Sequence, residues 1–166
     1  MGLFDFFKKN STPADITVAE EAGVLVQPID GKVIPLADIN DGVFSEGILG
    51  QGVGLIPSGQ AVYAPMSGTI STVAETKHAV GIEGNGVELL IHVGLETVSM
   101  NGKGFDVKVK EGDQVKAGQL LYTFSLAEIE KAEGVETTSA ILVTNSDDLP
   151  NFEVLFYGEG KAGLML

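Results

Sequence analysis

Short apolar runs, each closed by glycine, proline, asparagine or aspartate, follow one another from residue 24 onward and constrain the fold more than any other feature of the chain. The clearest of these runs cover residues 23–26, 32–34, 52–56, 61–64, 68–70, 87–93, 106–109, 119–124 and 140–144. Short strands at regular spacing are typical of an antiparallel sandwich or barrel. The 22 glycines supply the positive-φ positions that tight turns between such strands need. The pattern therefore predicts an all-β fold.

One segment carries a helical signal instead. Ser125 stands where an N-cap is expected, and Glu128 follows three residues later, which is the spacing of a capping box. Leu126 and Ile129 are spaced to share one face of a helix. We therefore expect one short helix over residues 125–132 within the β fold.

Composition limits the classes of partner. A chain of 166 residues suits one domain with a real core. Its net charge of −13 excludes a nucleic-acid partner, because binding phosphate backbones needs clustered Lys and Arg, and it favours docking to a basic protein. The absence of cysteine removes disulfides and thiolate zinc ligands. No apolar run approaches the ~20 residues of a membrane-spanning helix and no signal peptide is evident, so a cytoplasmic protein is expected.

The first ten residues are apolar and then basic. Leu3, Phe6 and Phe7 share one face if the segment is helical, and Lys8 and Lys9 follow them. We expect residues 1–15 to form a flexible segment whose start anchors weakly and reversibly to a membrane surface. The alternative is a frayed terminus without a role. Residues 16–166 are expected to form the single domain.

His92 lies near the end of the apolar run over 87–93, and imidazole is the side chain whose ordinary pKa lies in the physiological range. Alternate residues of a strand share a face. One face of this run carries Val87, Leu89, Ile91 and Val93, and the other carries Glu88, Leu90 and His92. His92 is therefore predicted to point away from the main core. Leu90 beside it is interpreted either as part of a docking patch or as a scattered surface leucine.

The only other histidine, His78, lies one hairpin upstream. A three-residue loop over 84–86 would place it directly opposite His92, but would also turn Val80 and Ile82 away from the core. A two-residue turn over 84–85 would bury those two residues and separate the histidines. A bulge near His78 or a covering sheet would reconcile both requirements, and the sequence leaves these alternatives open.

Residues 86–98 resemble the histidine signature of the glucose-type enzyme IIA proteins of the bacterial sugar phosphotransferase system, and residues 75–79 resemble the second histidine motif of that family. The resemblance covers nearly the whole chain. Further matching segments are residues 1–5, 44–57, 64–70, 102–105, 111–118 and 144–145.

This resemblance implies a phosphocarrier, a phosphotransferase component, on an antiparallel β-sandwich of jelly-roll-like type with a duplicated hybrid motif and short helical pieces. By analogy His92 takes phosphate from the phosphohistidine of HPr and passes it to a cysteine on the IIB domain of a sugar transporter. His78 then corresponds to the second active-site histidine, which donates a hydrogen bond to phosphate. Thr76 corresponds to the threonine of that motif.

The resemblance also implies a docking surface around the histidines, for which we expect Leu90, Val80, Val93 and Phe44. Relatives often carry phenylalanines at positions where this chain has aliphatic residues. The expected partners are HPr, the IIB domain and regulatory target proteins.

The chemistry of imidazole supports the same roles. A neutral imidazole attacks phosphorus through one nitrogen when its other nitrogen is held as a donor, and the carbonyl of Gly94 is the predicted acceptor. No Lys or Arg lies within 86–98, so N–H donors would hold the phosphate. This arrangement suits a reversible carrier, and no cofactor is required.

Three other classes of function are considered from the residues, one of them a zinc peptidase of related β topology, which needs more metal ligands than His78 and His92 readily supply. A regulatory binding module would use His78 and His92 as zinc ligands, with the remaining ligands supplied by a partner protein. A biotinyl or lipoyl carrier is suggested by residues 64–68 and 112–120, which resemble half-motifs of those domains, but the acceptor lysine of those domains is missing.

Overall fold

Eleven strands in two antiparallel sheets form a β-sandwich in the computed structural model, which describes residues 12–39 and 41–166. The strands are β1 Gly31–Pro35, β2 Gln51–Pro57, β3 Ala61–Tyr63, β4 Gly68–Val73, β5 Ala79–Gly84, β6 Val87–His92, β7 Phe105–Val107, β8 Gln114–Val115, β9 Leu120–Phe124, β10 Ser139–Val143 and β11 Gly158–Gly160. Among the described residues one α-helix, α1, covers Leu126–Lys131, and 3-10 turns cover Leu36–Asp38, Phe44–Glu46, Thr97–Met100 and Ser146–Asp148. The predicted fold class is confirmed.

Strand β6, which ends in His92, lies inside the larger sheet between β5 and β10. The order of that sheet is β11-β1-β2-β10-β6-β5-β4-β8, and the smaller sheet has the order β3-β9-β7. The strand predicted over 23–26 is wrong, because of those four residues only Val26 pairs, in an isolated bridge with Met165. Strands β8 and β11 were not predicted, because neither Gln114–Val115 nor Gly158–Gly160 forms an apolar run.

The main core fills the space between the two sheets. Ile91 and Ile141 from the larger sheet and Leu121 and Tyr122 from the smaller one are almost completely buried within it. The alternation predicted for β6 is confirmed, since Val87, Leu89, Ile91 and Val93 are all buried. His92 therefore leaves β6 on the face opposite the main core.

The hairpin of β5 and β6 turns at Asn85 and Gly86, whose φ angles are 50° and 78°. Two central residues with positive φ are what a type I′ turn requires, and Asn-Gly is its preferred sequence. Gly84 pairs with Val87 and Ala79 pairs with His92. Both sequence-predicted loops, over 84–86 and over 84–85, are therefore wrong.

The observed register resolves the conflict that the sequence left open. Val80 pairs with Ile91 and Ile82 pairs with Leu89, so all four side chains enter the core. A two-residue turn of this type matches the twist of the flanking strands. Gly84 has no side chain and remains within β5, paired with Val87. An added Cβ at Gly84 would lie 2.6 Å from the Ser67 carbonyl oxygen, so the strand is closely approached at this point.

A second, smaller hydrophobic cluster covers the outer face of β6 and β10. Its buried members are Leu36, Ile39, Phe44, Leu95, Ala140 and Leu142. The 3-10 turns at Leu36–Asp38 and Phe44–Glu46 bring the first three of these residues over the sheet. Leu90 packs against the cluster and is half-buried, so it is not a free surface leucine, and its expected role in docking stays a prediction.

Helix α1 begins as predicted. The hydroxyl of Ser125 accepts a hydrogen bond from the Glu128 backbone N–H at 3.2 Å. The Glu128 carboxylate does not complete the capping box, because it pairs with Lys103 and Lys131 instead. Ile129 is fully buried and attaches the helix to the main core.

The predicted membrane anchor lies outside the described residues. Asp15 and Ile16 already contact the sandwich, because the Asp15 carboxylate accepts from Leu120 N–H at 2.8 Å and Ile16 N–H donates to Gly118 at 2.9 Å. Within the described part of the chain, no helix has the length and apolar character to span a membrane.

Candidate functional site

His92 stands between two alanines on the outer face of the sheet. It pairs with Ala79 on β5 and with Ala140 on β10, and these small side chains leave room for the imidazole. The ring of Phe44 packs against it with a centroid distance of 4.9 Å and an interplanar angle of 59°. The imidazole is thus half-buried at the edge of the second cluster, with one side open to solvent.

The Nδ1 atom of His92 lies 2.9 Å from the carbonyl oxygen of Gly94, the acceptor that the sequence predicted. Gly94 has a φ of 76°, and an added Cβ would collide with the side chain of Thr97 and lie 2.7 Å from the Glu136 carbonyl oxygen. Only glycine therefore allows this carbonyl to point back at the imidazole. The Gly94 N–H is held in turn by the hydroxyl of Ser139 at 3.0 Å.

His78 meets His92 by a route that the sequence did not predict. It is not the cross-strand partner of His92, but precedes β5 and follows a turn in which Lys77 has a φ of 66°. The turn takes His78 out of the strand alternation, and its ring centroid lies 4.6 Å from that of His92 at an angle of 77°. The Nδ1 atom of His78 lies 2.8 Å from the hydroxyl oxygen of Thr76. The structure thus brings His78, His92, Thr76 and Gly94 together.

The surroundings keep both imidazoles neutral near pH 7. Burial, with the neighbouring His78 as a second cause, lowers the pKa of His92 to about 4, against the opposing effects of the Gly94 hydrogen bond and of Asp41. Burial also lowers the pKa of His78. A carbonyl can only accept a hydrogen bond, so Nδ1 of neutral His92 carries the proton and Nε2 carries the free lone pair.

A pocket of about 210 Å³ opens beside His92. It is lined by Asp41, Val43, Phe44, His92, Leu95, Glu96, Thr97 and Val98. Val43 and Val98 are about half exposed, at 46% and 53%, whereas Asp41 and Glu96 bring two carboxylates to the same opening. The pocket offers apolar contact together with an attraction for cationic groups.

The docking residues expected from the sequence are partly wrong. Val80 and Val93 have no exposed surface, because both point into the main core, and so neither can touch a partner. Phe44 is 8% exposed and is used mainly in packing against His92. Sequence reasoning missed Val43 and Val98, although valines beside Phe44 and within 86–98 were a signal that could have found them.

Asp41 holds the loop that leads to Phe44. Its carboxylate accepts hydrogen bonds from the backbone N–H groups of Val43, Phe44 and Ser45 at 3.1, 2.9 and 3.2 Å. Partial burial raises the pKa of Asp41, but the three donors outweigh that effect and hold the pKa below its usual range. The carboxylate therefore stays charged near neutral pH.

The two histidines could supply two ligands to a zinc ion, as the sequence suggested. Zinc needs three or four ligands, and the described residues contain no cluster of three or more His, Asp or Glu side chains that could hold a metal. His78 and His92 thus amount to half of a zinc site.

Comparison with known protein families places the site in context. A family model described as phosphoenolpyruvate-dependent sugar phosphotransferase system, EIIA 1, matches residues 23–149. This range includes both histidines, Thr76, Gly94 and the loop of Asp41 and Phe44.

Two relatives illustrate the range of similar proteins. The glucose-specific EIIA component of Halalkalibacterium halodurans is 40% identical over 162 residues, which cover 97% of this chain and 91% of that protein. The glucose-specific EIICBA component of Staphylococcus carnosus is 41% identical over 168 residues, covering 93% of this chain. The chain spans only about a quarter, 25%, of the length of that second protein.

A solved structure shows the same fold. Glucose permease IIA from Mycoplasma capricolum superposes with a TM-score of 0.80 at 34% identity, covering 91% of this chain and 97% of that one.

Proposed function

This chain belongs to the EIIA 1 family of the phosphoenolpyruvate-dependent sugar phosphotransferase system, and we propose that it carries phosphate on Nε2 of His92. The phosphate comes from the phosphohistidine of HPr and leaves to a cysteine on the IIB domain of a sugar transporter. The observation that carries this proposal is the hydrogen bond between His92 Nδ1 and the Gly94 carbonyl, because it leaves the lone pair on Nε2.

Phosphate transfer to and from His92 needs no further reactant. The N–P bond of phospho-HPr breaks as a bond forms between phosphorus and His92 Nε2, while the proton stays on Nδ1. The imidazole ring becomes positively charged in this step, and the Gly94 carbonyl stabilises that charge. On donation, the thiolate of the IIB cysteine forms an S–P bond as the new N–P bond breaks, and His92 returns to its neutral form with the proton still on Nδ1.

His78 is proposed to donate a hydrogen bond to the phosphate. If the hydroxyl of Thr76 donates to Nδ1 of His78, Nε2 of His78 carries the proton and can bind a phosphate oxygen. The distance of 4.6 Å between the two rings supports this role. Because His78 is neutral, it holds the phosphate less strongly than a cation would, which suits a carrier that must give the phosphate up.

The surface chemistry supports protein partners that carry basic and apolar groups. Asp41 and Glu96 flank the opening beside His92, and Val43 and Val98 supply its exposed apolar contacts. The S. carnosus relative joins a similar segment to the other components of a permease in one chain, which supports a sugar transporter as the acceptor. We further propose that the protein is cytoplasmic and contacts the inner face of the membrane weakly.

Intact-mass measurement tests the proposal. After incubation with phosphoenolpyruvate, enzyme I and HPr, the protein should gain the mass of one phosphoryl group, which acid removes and base does not. His92→Gln should gain none, because it lacks the nucleophile, while His78→Gln serves as the matched control and should still be phosphorylated. Phosphate that maps to His78 in the unsubstituted protein would refute the assignment.

A further inference from the structure

The loop before the 3-10 turn at Phe44–Glu46 is held by one side chain. Oδ1 of Asp41 accepts from the N–H groups of Val43 and Ser45, and Oδ2 accepts from the N–H group of Phe44. The first N–H groups of a helical turn have no carbonyl partner within that turn, and the residue that normally caps them, Val43 here, has no side-chain oxygen. Asp41 thus caps the turn from two residues further upstream.

The rest of the loop contributes little packing of its own. Gly42 has a φ of 73° with open space around it, and Val43 and Ile48 are 46% and 71% exposed. Phe44 is the residue of this loop that enters the second cluster, where its ring rests on the imidazole of His92. The imidazole of His92 therefore contacts the rings of both Phe44 and His78, at centroid distances of 4.9 and 4.6 Å.

We propose that Asp41 is a positioning residue for phosphate acceptance, whose carboxylate anchors the loop and thereby keeps the ring of Phe44 against the imidazole of His92. Contact with Phe44 fixes the plane of the imidazole and excludes water from one of its faces. The orientation of His92 Nε2 toward incoming phosphate then depends on the carboxylate of Asp41, although that carboxylate does not contact the phosphate. This inference rests on the proposed role of His92 as the phosphate acceptor.

If Asp41 acted only through its charge, its removal would change the pKa of His92 in the direction opposite to the one expected if Asp41 positions Phe44. The charged groups that face His92 are Asp41, Glu96 at the pocket and, when protonated, His78. Loss of the negative charge of Asp41 alone removes a group that raises the pKa of His92, so that pKa should fall below about 4. Release of Phe44 exposes the imidazole to water, so the pKa of His92 should rise toward its ordinary value of about 6.5.

NMR titration of His92 in Asp41→Ala and Asp41→Asn separates the two roles. Asparagine retains one acceptor oxygen, which can still accept from the N–H groups of Val43 and Ser45, and loses the bond from Phe44 N–H, so it keeps most of the anchoring of the loop while removing the charge. We expect Asp41→Ala to raise the pKa of His92 and to lower kcat for phosphate acceptance roughly ten- to a hundredfold, as misplacement of a reacting group does. Asp41→Asn should keep the pKa at or slightly below the original value and retain most of kcat.

Glu96→Gln is the matched control, because it removes one charge from the same pocket and no hydrogen bond of the Asp41 loop involves Glu96 in the described part of the chain. It should raise KM for phospho-HPr without raising the pKa of His92. Phe44→Leu, which leaves the carboxylate in place, should reproduce the rise of the pKa seen in Asp41→Ala. Should Asp41→Ala fail to fold, the titration of Phe44→Leu decides the question in its place.

An unchanged or lower pKa of His92 in Asp41→Ala would overturn the proposal, as would equal pKa values in the alanine and asparagine variants. The titration needs no phosphate donor. If the unsubstituted protein accepts no phosphate from HPr, the proposed function fails, whereas the effect of Asp41 on His92 is still measured independently.

Discussion

His78 and His92 are chemically the same side chain, but their neighbours give them different tasks. A backbone carbonyl fixes the proton of His92 on Nδ1, whereas a threonine hydroxyl, which can donate or accept, faces Nδ1 of His78. Only His92 is therefore obliged by the backbone to present a lone pair at Nε2. This asymmetry predicts that replacing His78 damages one half of the transfer more than the other.

His78→Gln should still accept phosphate from HPr but should donate it poorly to the IIB domain. The nucleophile remains, but the N–H group that steadies the phosphate as it leaves is lost, at a cost of roughly 10²-fold for one donor in a preorganised site. Single-turnover rates of the two half-reactions, measured separately, test this expectation. Equal slowing of both half-reactions would mean that His78 mainly maintains the structure of the site.

The lowered pKa of His92 also makes stability depend on pH. The unfolded chain binds a proton at His92 with an ordinary pKa of about 6.5, whereas in the folded protein that pKa is about 4. The unfolded state therefore takes up the proton first as the pH falls, so the free energy of unfolding decreases between about pH 6.5 and pH 4. His92→Gln should flatten this decrease, as measured by urea unfolding at several pH values. Parallel pH profiles for the two proteins would contradict the expected shift.

The β5–β6 hairpin shows what a strand pattern can and cannot predict. Alternation along β6 correctly assigned Ile91 to the core and His92 to the opposite face, because one face of the sheet is buried. The register was predicted wrongly, because Gly84, Asn85 and Gly86 offer several adjacent turns and a shift of one residue reverses every side chain. The stronger preference of Asn-Gly for a type I′ turn, weighed together with the burial of Val80, would have selected the observed pairing.

Two glycines, one before and one after β6, provide a matched pair of substitutions. Gly86 and Gly94 have nearly equal φ angles of 78° and 76°, but an added Cβ meets nothing at Gly86 and collides with Thr97 at Gly94. Gly86→Ala should lower the free energy of unfolding by about 1–2 kcal/mol through backbone strain alone and leave phosphorylation intact. Gly94→Ala should lower it further and slow phosphorylation, because the carbonyl that holds His92 must move.

Chemical denaturation and the rate of phosphorylation by HPr, measured on both variants, test this pair. Loss of phosphorylation in Gly86→Ala, at the far end of the hairpin, would show that the site depends on the whole hairpin rather than on its own end of β6.

At the scale of the molecule, the site is assembled from segments that are distant in sequence. The His78 and His92 motifs could be recognised from the sequence because each is a compact run of residues. The loop of Asp41 and Phe44 reaches His92 only because the turns at 36–38 and 44–46 fold over β6 and β10, which are distant in the chain. Side-chain alternation predicts which face of a strand is covered but not which segment covers it, and for that reason the pocket residues Val43 and Val98 were missed.

The proposed role of the first ten residues, weak anchoring to a membrane surface, would determine where the whole protein resides. Burial of each large apolar side chain contributes about 1.5–3 kcal/mol at best and each lysine about 1 kcal/mol at an anionic surface. The cost of ordering the segment and the repulsion of a body with net charge −13 oppose this gain. We expect weak binding to anionic vesicles that disappears as salt is added.

Deletion of residues 1–10 should leave phosphorylation by HPr unchanged and slow donation to a membrane-embedded transporter, since only the second step takes place at the membrane. Vesicle sedimentation and the two transfer rates, each with the full-length chain as control, provide the test. A truncated protein that donates as fast as the full chain would remove any role for the segment.

The opposite faces of β6 carry separate demands. Ile91 and Val93 serve only the packing of the interior, whereas the loop over His92 packs Phe44 into the second cluster and leaves Val43 exposed to other proteins. Substitutions at Val43 or Val98 can therefore change which proteins are recognised while the folded scaffold is left untouched. Related domains can thus come to serve different transporters through substitutions at these exposed positions, while the histidines that carry the phosphate stay the same.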